Sequence, residues 1–353
     1  MRKRKVFYFI ALLLALAMVA AACGDADTTD TTTAPGDGEP ASGPKGIIRF
    51  TFAPDPVWDY LNDSGIKEEM EAASDGMRIL AAPTWDEFGI YAGGHADIVS
   101  VGDMEVPLLE LESARKAVVF GKYNLSRNVL VTHVDNPWES ICDIPKGSKI
   151  AIYSTVGPTL QWGVIAKEQC GTDYRSDGGD YELVLADITN VAQLALDKEV
   201  DVAQALPDFS VPQMMSGNLK VLNDGRPTPE ILPGIVGAGY EGPLDNIFMA
   251  REEWYNEHTA EVEFFLSVWQ RGLDEWAANK DTIIESYPQH FAVSTPEEIQ
   301  WMKDYIAQHD WFVGSVYLTD DFITTAQEVY KLMRQTGFMG EDEADPRMEV
   351  LNP

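Results

Sequence analysis

From Gly46 onwards, short β-prone runs alternate with segments of helical periodicity, and this alternation constrains the fold more than any other feature of the chain. Strands are predicted at residues 47–52, 77–81, 97–101, 117–132, 150–153, 183–185, 200–205 and 219–222, and helices at 55–73, 85–91, 106–113, 158–170 and 191–196. Gly65 is expected to break the first helix. This alternation is typical of sheets covered by helices on both faces, and its length exceeds one hydrophobic core. The sequence therefore predicts an α/β protein with two doubly wound sheets.

The last third of the chain has helical periodicity. Apolar and aromatic residues recur at helical spacing over 262–276, a capping box begins a helix at Thr295, and a third helix is expected over 319–337. We expect the aromatic residues to pack in the core rather than to hold a cofactor. The acidic tail, residues 341–353, is predicted to be weakly ordered.

The N-terminus has the pattern of an export signal. Four basic residues among the first five precede an apolar run over 6–22, and small residues lead directly into Cys23. This resembles the lipobox of bacterial lipoproteins, so residues 1–22 are predicted to be a signal peptide and Cys23 the lipidated first residue. The alternative is an uncleaved membrane anchor. Residues 23–46, which are rich in Thr, Asp, Gly and Pro, are expected to form a flexible linker.

The charge and the motifs that are missing limit the possible functions. The formal net charge is −31, which disfavours nucleic acid as a partner and anionic lipid headgroups as a docking surface. The sequence contains no G-x-S-x-G, P-loop, H-E-x-x-H or C-x-x-C motif, and its five histidines lack metal-ligand spacing. We therefore expect no catalysis, no cofactor and no metal site.

Two cysteines follow the export signal. Cys142 lies just before the strand at 150–153, and Cys170 ends the helix at 158–170. Both positions fall on the same side of a βα unit, and an oxidising compartment permits a bridge. A disulfide between them is possible.

The βα unit at residues 146–171 is a candidate binding site. Its strand is followed by Ser154, Thr155 and Gly157, and Pro158 occupies a plausible first helical position. A helix that begins beside the carboxyl end of a strand presents unpaired N–H groups and the positive end of its dipole. Such a loop can hold a small anionic or polar group, although the same pattern also occurs in βα units that bind nothing.

Three segments in order carry a resemblance to a known family. They are KGSKIAIYSTVGPTLQWGVIAKEQCG, DYELVLADITNVAQLALDKEVDVAQALPDF and MAREEWYNEHTAEVEFFLSVWQRGLDEWAANKD, and GGHADIV resembles a further segment of the same family. Together they resemble the solute-binding proteins of ABC importers in the nitrate, taurine, aliphatic-sulfonate and thiamine-precursor group. The resemblance covers most of residues 46–335. Each motif is loose alone, but their order is specific.

This resemblance implies the two-lobed periplasmic-binding-protein fold, type II, with a ligand cleft between the lobes. Lobe 1 is expected over 47–132 plus 233–340 and lobe 2 over 135–230, with crossovers at 131–136 and 225–234. The family also implies a small-molecule ligand, the permease subunits of an ABC importer as partners, and a monomer held at the outer face of the membrane through Cys23.

Open α/β sheets bind ligands at the carboxyl ends of their strands, so the residues at those ends are the candidate contacts. In lobe 1 they are Pro54, Asp55, Trp58, Thr84, Trp85, Gly102, Asp103 and Met104, with Arg127 near the crossover. In lobe 2 they are Ser154, Thr155, Gly157, Trp162, Asp187, Asn190, Pro207 and Asp208.

The ligand class has two interpretations. Arg127 together with the helix N-terminus at 154–158 suits a nitrate, taurine or sulfonate-like organic anion, which the resemblance favours. The alternative is a pyrimidine-type thiamine precursor or another aromatic or cationic solute. The Trp58, Trp85 and Trp162 rings with the Asp55 and Asp103 carboxylates would suit that alternative.

Overall fold

The computed structural model describes residues 45–351, and within them eleven strands form two sheets. The predicted signal peptide, Cys23 and nearly all of the predicted linker lie outside the described residues. None of the helices within 45–351 is both long enough and apolar enough to cross a membrane.

The strands and helices follow the predicted alternation. The strands are β1 Ile47–Phe52, β2 Arg78–Pro83, β3 Ile98–Val101, β4 Ala117–Leu125, β5 Val129–His133, β6 Lys149–Ile152, β7 Glu182–Leu185, β8 Val202–Ala205, β9 Leu219–Val221, β10 Leu244–Arg251 and β11 Arg347–Met348. The helices are α1 Pro56–Asp63, α2 Ile66–Ala73, α3 Glu87–Gly93, α4 Val106–Ser113, α5 Pro158–Cys170, α6 Val191–Leu196, α7 Val211–Met215, α8 Pro233–Val236, α9 Glu252–Glu257, α10 Thr259–Ser286, α11 Pro296–Gln308 and α12 Asp320–Thr336.

The two sheets share one plan. The first has the order β11-β4-β10-β3-β1-β2 and the second β7-β6-β8-β5-β9. Each contains one antiparallel strand, β10 in the first sheet and β5 in the second, and each of these is the strand that the chain enters directly after leaving the other sheet. This exchange of strands is the type II arrangement, so the predicted fold class is confirmed.

The first crossover differs from its prediction. Residues 117–132 do not form one strand, because β4 pairs with β10 in the first sheet while β5 pairs with β8 and β9 in the second. The chain crosses at residues 126–128 rather than 131–136. Three polar residues interrupt the apolar run there, and the Ser126 amide donates to the Pro243 carbonyl instead of extending the ladder, at 2.8 Å. The return, expected at 225–234, falls within the longer connection between β9 and β10.

The acidic tail is also not as predicted. Residues 347–348 form β11, which pairs in parallel with Val118 and Val119 of β4. Arg347 contacts Glu252, and the Glu349 amide donates to the Val119 carbonyl at 2.9 Å. Without this segment β4 would be an edge strand with unpaired backbone groups, and pairing them orders the tail.

Local signals in the sequence correspond to observed helix boundaries. Gly65 separates α1 from α2 with a φ of 76°, a conformation that glycine adopts readily. Thr295 Oγ1 accepts from the Glu298 amide at 3.2 Å, and Glu298 Oε2 accepts from the Thr295 amide at 3.1 Å, which completes the predicted capping box. The Cys142 and Cys170 sulfurs are bonded to each other, with their Cα atoms 5.2 Å apart.

The predicted aromatic core surrounds α10. Trp269 of this helix stacks on Trp58 with ring centroids 5.4 Å apart, and Phe265 packs edge-on against Phe50 at 4.8 Å. These rings lie between the first sheet and the helices that cover it. Burial of several large rings contributes much of the hydrophobic stabilisation of this lobe.

Candidate functional site

A cavity of about 670 Å³ lies where the strand ends of the two sheets face each other. The loops after β1 and β3, together with residues of β4 and β10, line it from the first lobe, and the loops after β6, β7 and β8 line it from the second. This volume lies in the range of small-molecule sites. Because both lobes contribute, a molecule bound here would bridge them.

Nine of the predicted contact residues line this cavity. They are Pro54, Asp55, Trp85, Gly102, Arg127, Ser154, Gly157, Asp187 and Asp208. All nine lie in loops that follow strands or at the crossover, so the rule that ligands bind at strand carboxyl ends located them.

The other predicted residues lie elsewhere. Trp58, Met104 and Trp162 are core residues, each at most 3% exposed. Trp58 is on the face of α1 that packs against Trp269, and α5 buries Trp162 among the residues between the lobes. These positions follow from the orientation of each helix, which spacing along the chain does not reveal.

The remaining four predicted contacts, and also Pro207, do not line the cavity. Asp103 is buried, and its Oδ2 accepts from the Tyr240 hydroxyl at 2.9 Å. Thr84 Oγ1 accepts from the Asp86 amide at 3.1 Å, and Pro207 is buried. Thr155 and Asn190 are exposed outside the cavity lining.

A polar network that sequence analysis misses forms the floor of the cavity in the first lobe. Asn124 of β4 donates from Nδ2 to Asp55 Oδ2 at 3.2 Å and to Asn246 Oδ1 at 3.3 Å, and Asn246 donates to Ser100 Oγ at 2.9 Å. Asn124 is 4% exposed, and its Oδ1 has no hydrogen-bond partner among the described residues. The sequence feature that could have indicated these residues is a polar side chain within an otherwise apolar stretch, as at Asn124 and Asn246. Sequence analysis does not predict β10 at all.

Asp55 holds the start of α1 while facing the cavity. Its Oδ1 accepts from the Val57 amide at 2.8 Å and from the Trp58 amide at 3.3 Å, as an N-cap residue does. Burial raises the pKa of Asp55 to about 6, although the charge of His290 and these hydrogen bonds oppose that shift.

Arg127 is engaged by carboxylates of both lobes. Its guanidinium donates from Nε to Asp208 Oδ1 and from Nη2 to Asp208 Oδ2, both at 2.8 Å, and Nη1 lies 3.6 Å from Asp245. The guanidinium also lies over the Trp311 ring, 5.2 Å from its centroid. Burial opposes the charge, but the two carboxylates raise the pKa of Arg127, so it remains a cation with its partners in place.

Two further glutamates line the cavity and were also missed. Glu105 follows β3 and accepts from the Gly102 amide at 2.8 Å, while Glu87 begins α3. Burial raises the pKa of Glu105 to about 8 and that of Glu87 to about 7. The rule that ligands bind at strand carboxyl ends does not include Glu87 and Glu105, because both lie one turn beyond those ends.

The ionisable groups around the cavity are mainly acidic. Among the described lining residues, the carboxyl groups are those of Asp55, Glu87, Glu105, Asp187, Asp208 and Asp245. The basic groups among them are Arg127 and His290, and His290 Nε2 lies 2.7 Å from the carboxylate of Asp59. Within residues 45–351, no group of three or more His, Cys, Asp or Glu side chains is placed to hold a metal ion. The arrangement is that of a binding site.

Comparison with known proteins shows a similarity of fold. No family model and no curated protein matches the sequence. The solved structures that match include the periplasmic aliphatic sulphonate binding protein SsuA from Escherichia coli, with a TM-score of 0.66 and 13% identity over 87% of this chain and 92% of that one.

Two further matches have similar scores. The alkanesulfonate-binding protein SsuA from Xanthomonas axonopodis pv. citri, bound to MOPS, has a TM-score of 0.64 and 14% identity over 85% of this chain and 96% of that one. The ligand binding component of an ABC-type import system from Staphylococcus aureus, with zinc bound, has a TM-score of 0.58 and 11% identity over 87% and 97%. At these identities the likeness shows the fold: this chain has the fold of periplasmic binding proteins, as the resemblance implied. All three neighbours are binding proteins or ligand-binding components.

Proposed function

We propose that this chain is a solute-binding protein that captures a small organic molecule between its lobes and delivers it to the permease of an ABC importer. The observation that carries the proposal is the cavity of about 670 Å³, to which both sheets contribute and which is lined by aromatic rings and a few polar groups. The structural neighbours, two of which are sulfonate-binding proteins, support the general role.

The nitrate, taurine or sulfonate-like ligand stays a prediction of the resemblance. The observed cavity supports the alternative solute class more strongly, because Arg127, the cation on which the anion interpretation depends, is already paired with Asp208.

A titration tests the binding role. Compounds from a panel of organic amines, pyrimidines, amino acids, nitrate and sulfonates should include one that binds at one-to-one stoichiometry, is recovered unchanged and raises the melting temperature. At about one hundred times its Kd it should stabilise the protein by about 2.7 kcal/mol. Consumption of the compound would indicate an enzyme instead.

A blocking variant identifies the site. Ser154 lines the cavity, so Ser154→Trp should fill it and abolish binding. Ser267 lies on the exposed face of α10, and Ser267→Trp is the matched control that should bind normally. Equal binding by both variants would place the site elsewhere.

We further propose that the protein is exported and anchored through Cys23 outside the cell membrane. When the full chain is made in a bacterium, the mature protein should lack residues 1–22 and partition into detergent, and Cys23→Ala should abolish both properties. A wild-type protein that starts elsewhere and stays in the aqueous phase would contradict the anchor.

A further inference from the structure

The basic groups in the cavity already have carboxylate partners. Arg127 donates two hydrogen bonds to Asp208 and lies close to Asp245, so its charge is more than matched by two carboxyl groups. An incoming anion would either displace Asp208 from this bidentate pair or add a further negative charge beside Asp208 and Asp245, and both are unfavourable in a partly buried site.

The helix N-terminus that suits an anion is also faced by a carboxyl group of the protein. Glu105 from the first lobe lies against Gly157, the residue that precedes α5, so closely that a β-carbon at position 157 would be 2.7 Å from Glu105 Oε1. The place where a sulfonate or nitrate would meet the positive end of α5 therefore already contains an acid.

Acceptor oxygens predominate among the remaining polar groups. Glu87 and Glu105 line the first-lobe side, and Asp187 lines the second-lobe side. Asp187 accepts from the hydroxyl and the amide of Thr189, at 2.6 and 2.9 Å, which lower its pKa and keep it ionised. Asn124 at the cavity floor adds an independent observation, because its Oδ1 has no hydrogen-bond partner among the residues that the structure describes, although that atom is too buried to contact a molecule in the cavity without a shift of the side chain. A donor-bearing cation would supply what this set lacks.

Apolar surface accompanies the acids. Trp85 of the first lobe is 62% exposed and meets Phe209 of the second lobe edge-on, with ring centroids 6.1 Å apart. Phe88, Ile188 and Leu206 also line the cavity. A tryptophan this exposed at the edge of a cavity offers an apolar body both stacking area and a cation–π partner.

Resting on the function proposed above, we propose that the solute is an organic amine: a protonated ammonium group held by the carboxylates of Glu87, Glu105 and Asp187, attached to an apolar or ring-shaped body that packs on Trp85 and Phe209. The ammonium carries N–H donors, because carboxylate oxygens are hydrogen-bond acceptors. A quaternary amine would match their charge but would donate no hydrogen bond to them.

Matched pairs of compounds test this class. Benzylamine and phenylmethanesulfonate share a body, as do hexylamine and hexanesulfonate, so each pair differs in its charged group. Calorimetric titration of the full chain should show the amine of each pair binding at least about tenfold more tightly than its sulfonate, since unmatched buried charge is unfavourable.

Variants connect the preference to the acids. Glu87→Gln together with Glu105→Gln should weaken amine binding by about tenfold or more and leave sulfonate binding equal or stronger. Glu112→Gln is the matched control, because Glu112 is exposed on α4 outside the cavity. It should bind both series as the wild type does.

The outcomes separate the two proposals. Tighter binding of the sulfonates by the wild type, blocked by Ser154→Trp, would overturn the amine assignment and leave the solute-binding function standing. Amines that bind but are indifferent to the two glutamine substitutions would also overturn it. A folded wild type that binds neither series would count against the amine proposal, and no binding across the wider panel would count against the function itself.

Discussion

The carboxylate of Glu105, which follows β3 in one lobe, lies directly against Gly157, which precedes α5 in the other. Glu105 is held there by the Gly102 amide, and Gly157 has a φ of 48°, a region that side-chain-bearing residues rarely adopt. A contact between the lobes thus depends on the absence of a side chain at position 157.

Gly157→Ala should therefore change both stability and binding. The backbone conformation alone should lower the free energy of unfolding by about 1 to 2 kcal/mol, and the new methyl group should displace the Glu105 carboxylate and weaken amine binding. Gly178 also has a positive φ, 73°, with no atom near a β-carbon, so Gly178→Ala is the matched control that loses stability without changing binding. Urea unfolding and calorimetric titration measure the two effects. Unaltered binding by Gly157→Ala would show that the contact is incidental.

Trp58 and Trp85 were both predicted as ligand contacts, but their substitution should have different effects. Trp58 is packed against Phe50, Phe52 and Trp269, so Trp58→Ala should lower the free energy of unfolding by about 3 to 5 kcal/mol. Trp85 is largely exposed, so Trp85→Ala should change it by no more than about 0.5 kcal/mol while weakening binding. Denaturant unfolding and titration of both variants check this, and a stability loss at Trp85 comparable to that at Trp58 would contradict it.

Binding of an amine should strengthen as the pH rises from about 6 to 8. Burial raises the pKa of Glu87 to about 7 and that of Glu105 to about 8, and the carboxyls of Asp86, Asp103 and Asp245 that face them add to the shift. In the empty protein both groups therefore hold protons that an ammonium ligand must release. Affinity should rise by at most about tenfold per pH unit for each carboxyl that must ionise.

Glu87 and Glu105 also determine how the stability of the empty protein changes with pH. Their pKa values are higher in the folded state than the ordinary value of 4.5, so the folded state binds more protons, and the free energy of unfolding should fall as the pH rises towards 8. Glu87→Gln with Glu105→Gln should flatten both profiles. Calorimetry in buffers of different ionisation enthalpy detects the released protons, and an affinity that falls with pH would instead indicate an anionic ligand.

The Cys142–Cys170 bridge should stabilise the second lobe. It closes a loop with a sequence separation of 28, and the chain-entropy model gives such a loop about 3 to 4 kcal/mol of stability. A digest without reductant should contain the two cysteine peptides joined, and Cys142→Ser with Cys170→Ser should lower the urea midpoint. Recovery of both cysteines as alkylated thiols without reduction would remove the bridge.

Much of the local structure follows directly from the amino-acid sequence. Strand–helix alternation, the helix break at Gly65, the capping box at Thr295 and the end of α12 at Gly337 depend on backbone preferences and on side chains within four residues of one another. Such interactions can be found in a linear pattern. The same reasoning located the loops of the site, because strand carboxyl ends meet at one edge of each sheet.

The chemistry of the site, in contrast, depends on long-range contacts in the folded chain. From the sequence, Arg127 is expected to be a free cation. Its partners Asp208 and Asp245 lie 81 and 118 positions away along the chain. They meet Arg127 only because the chain crosses to the second sheet between β4 and β5 and returns to the first sheet at β10. From the sequence, Trp58 and Trp162 are expected to stack on a ligand. In the structure, the packing of α1 and α5 places both side chains in the core. The net charge of a cleft is the sum of the charges of groups that are distant in sequence, and only the folded chain brings those groups together.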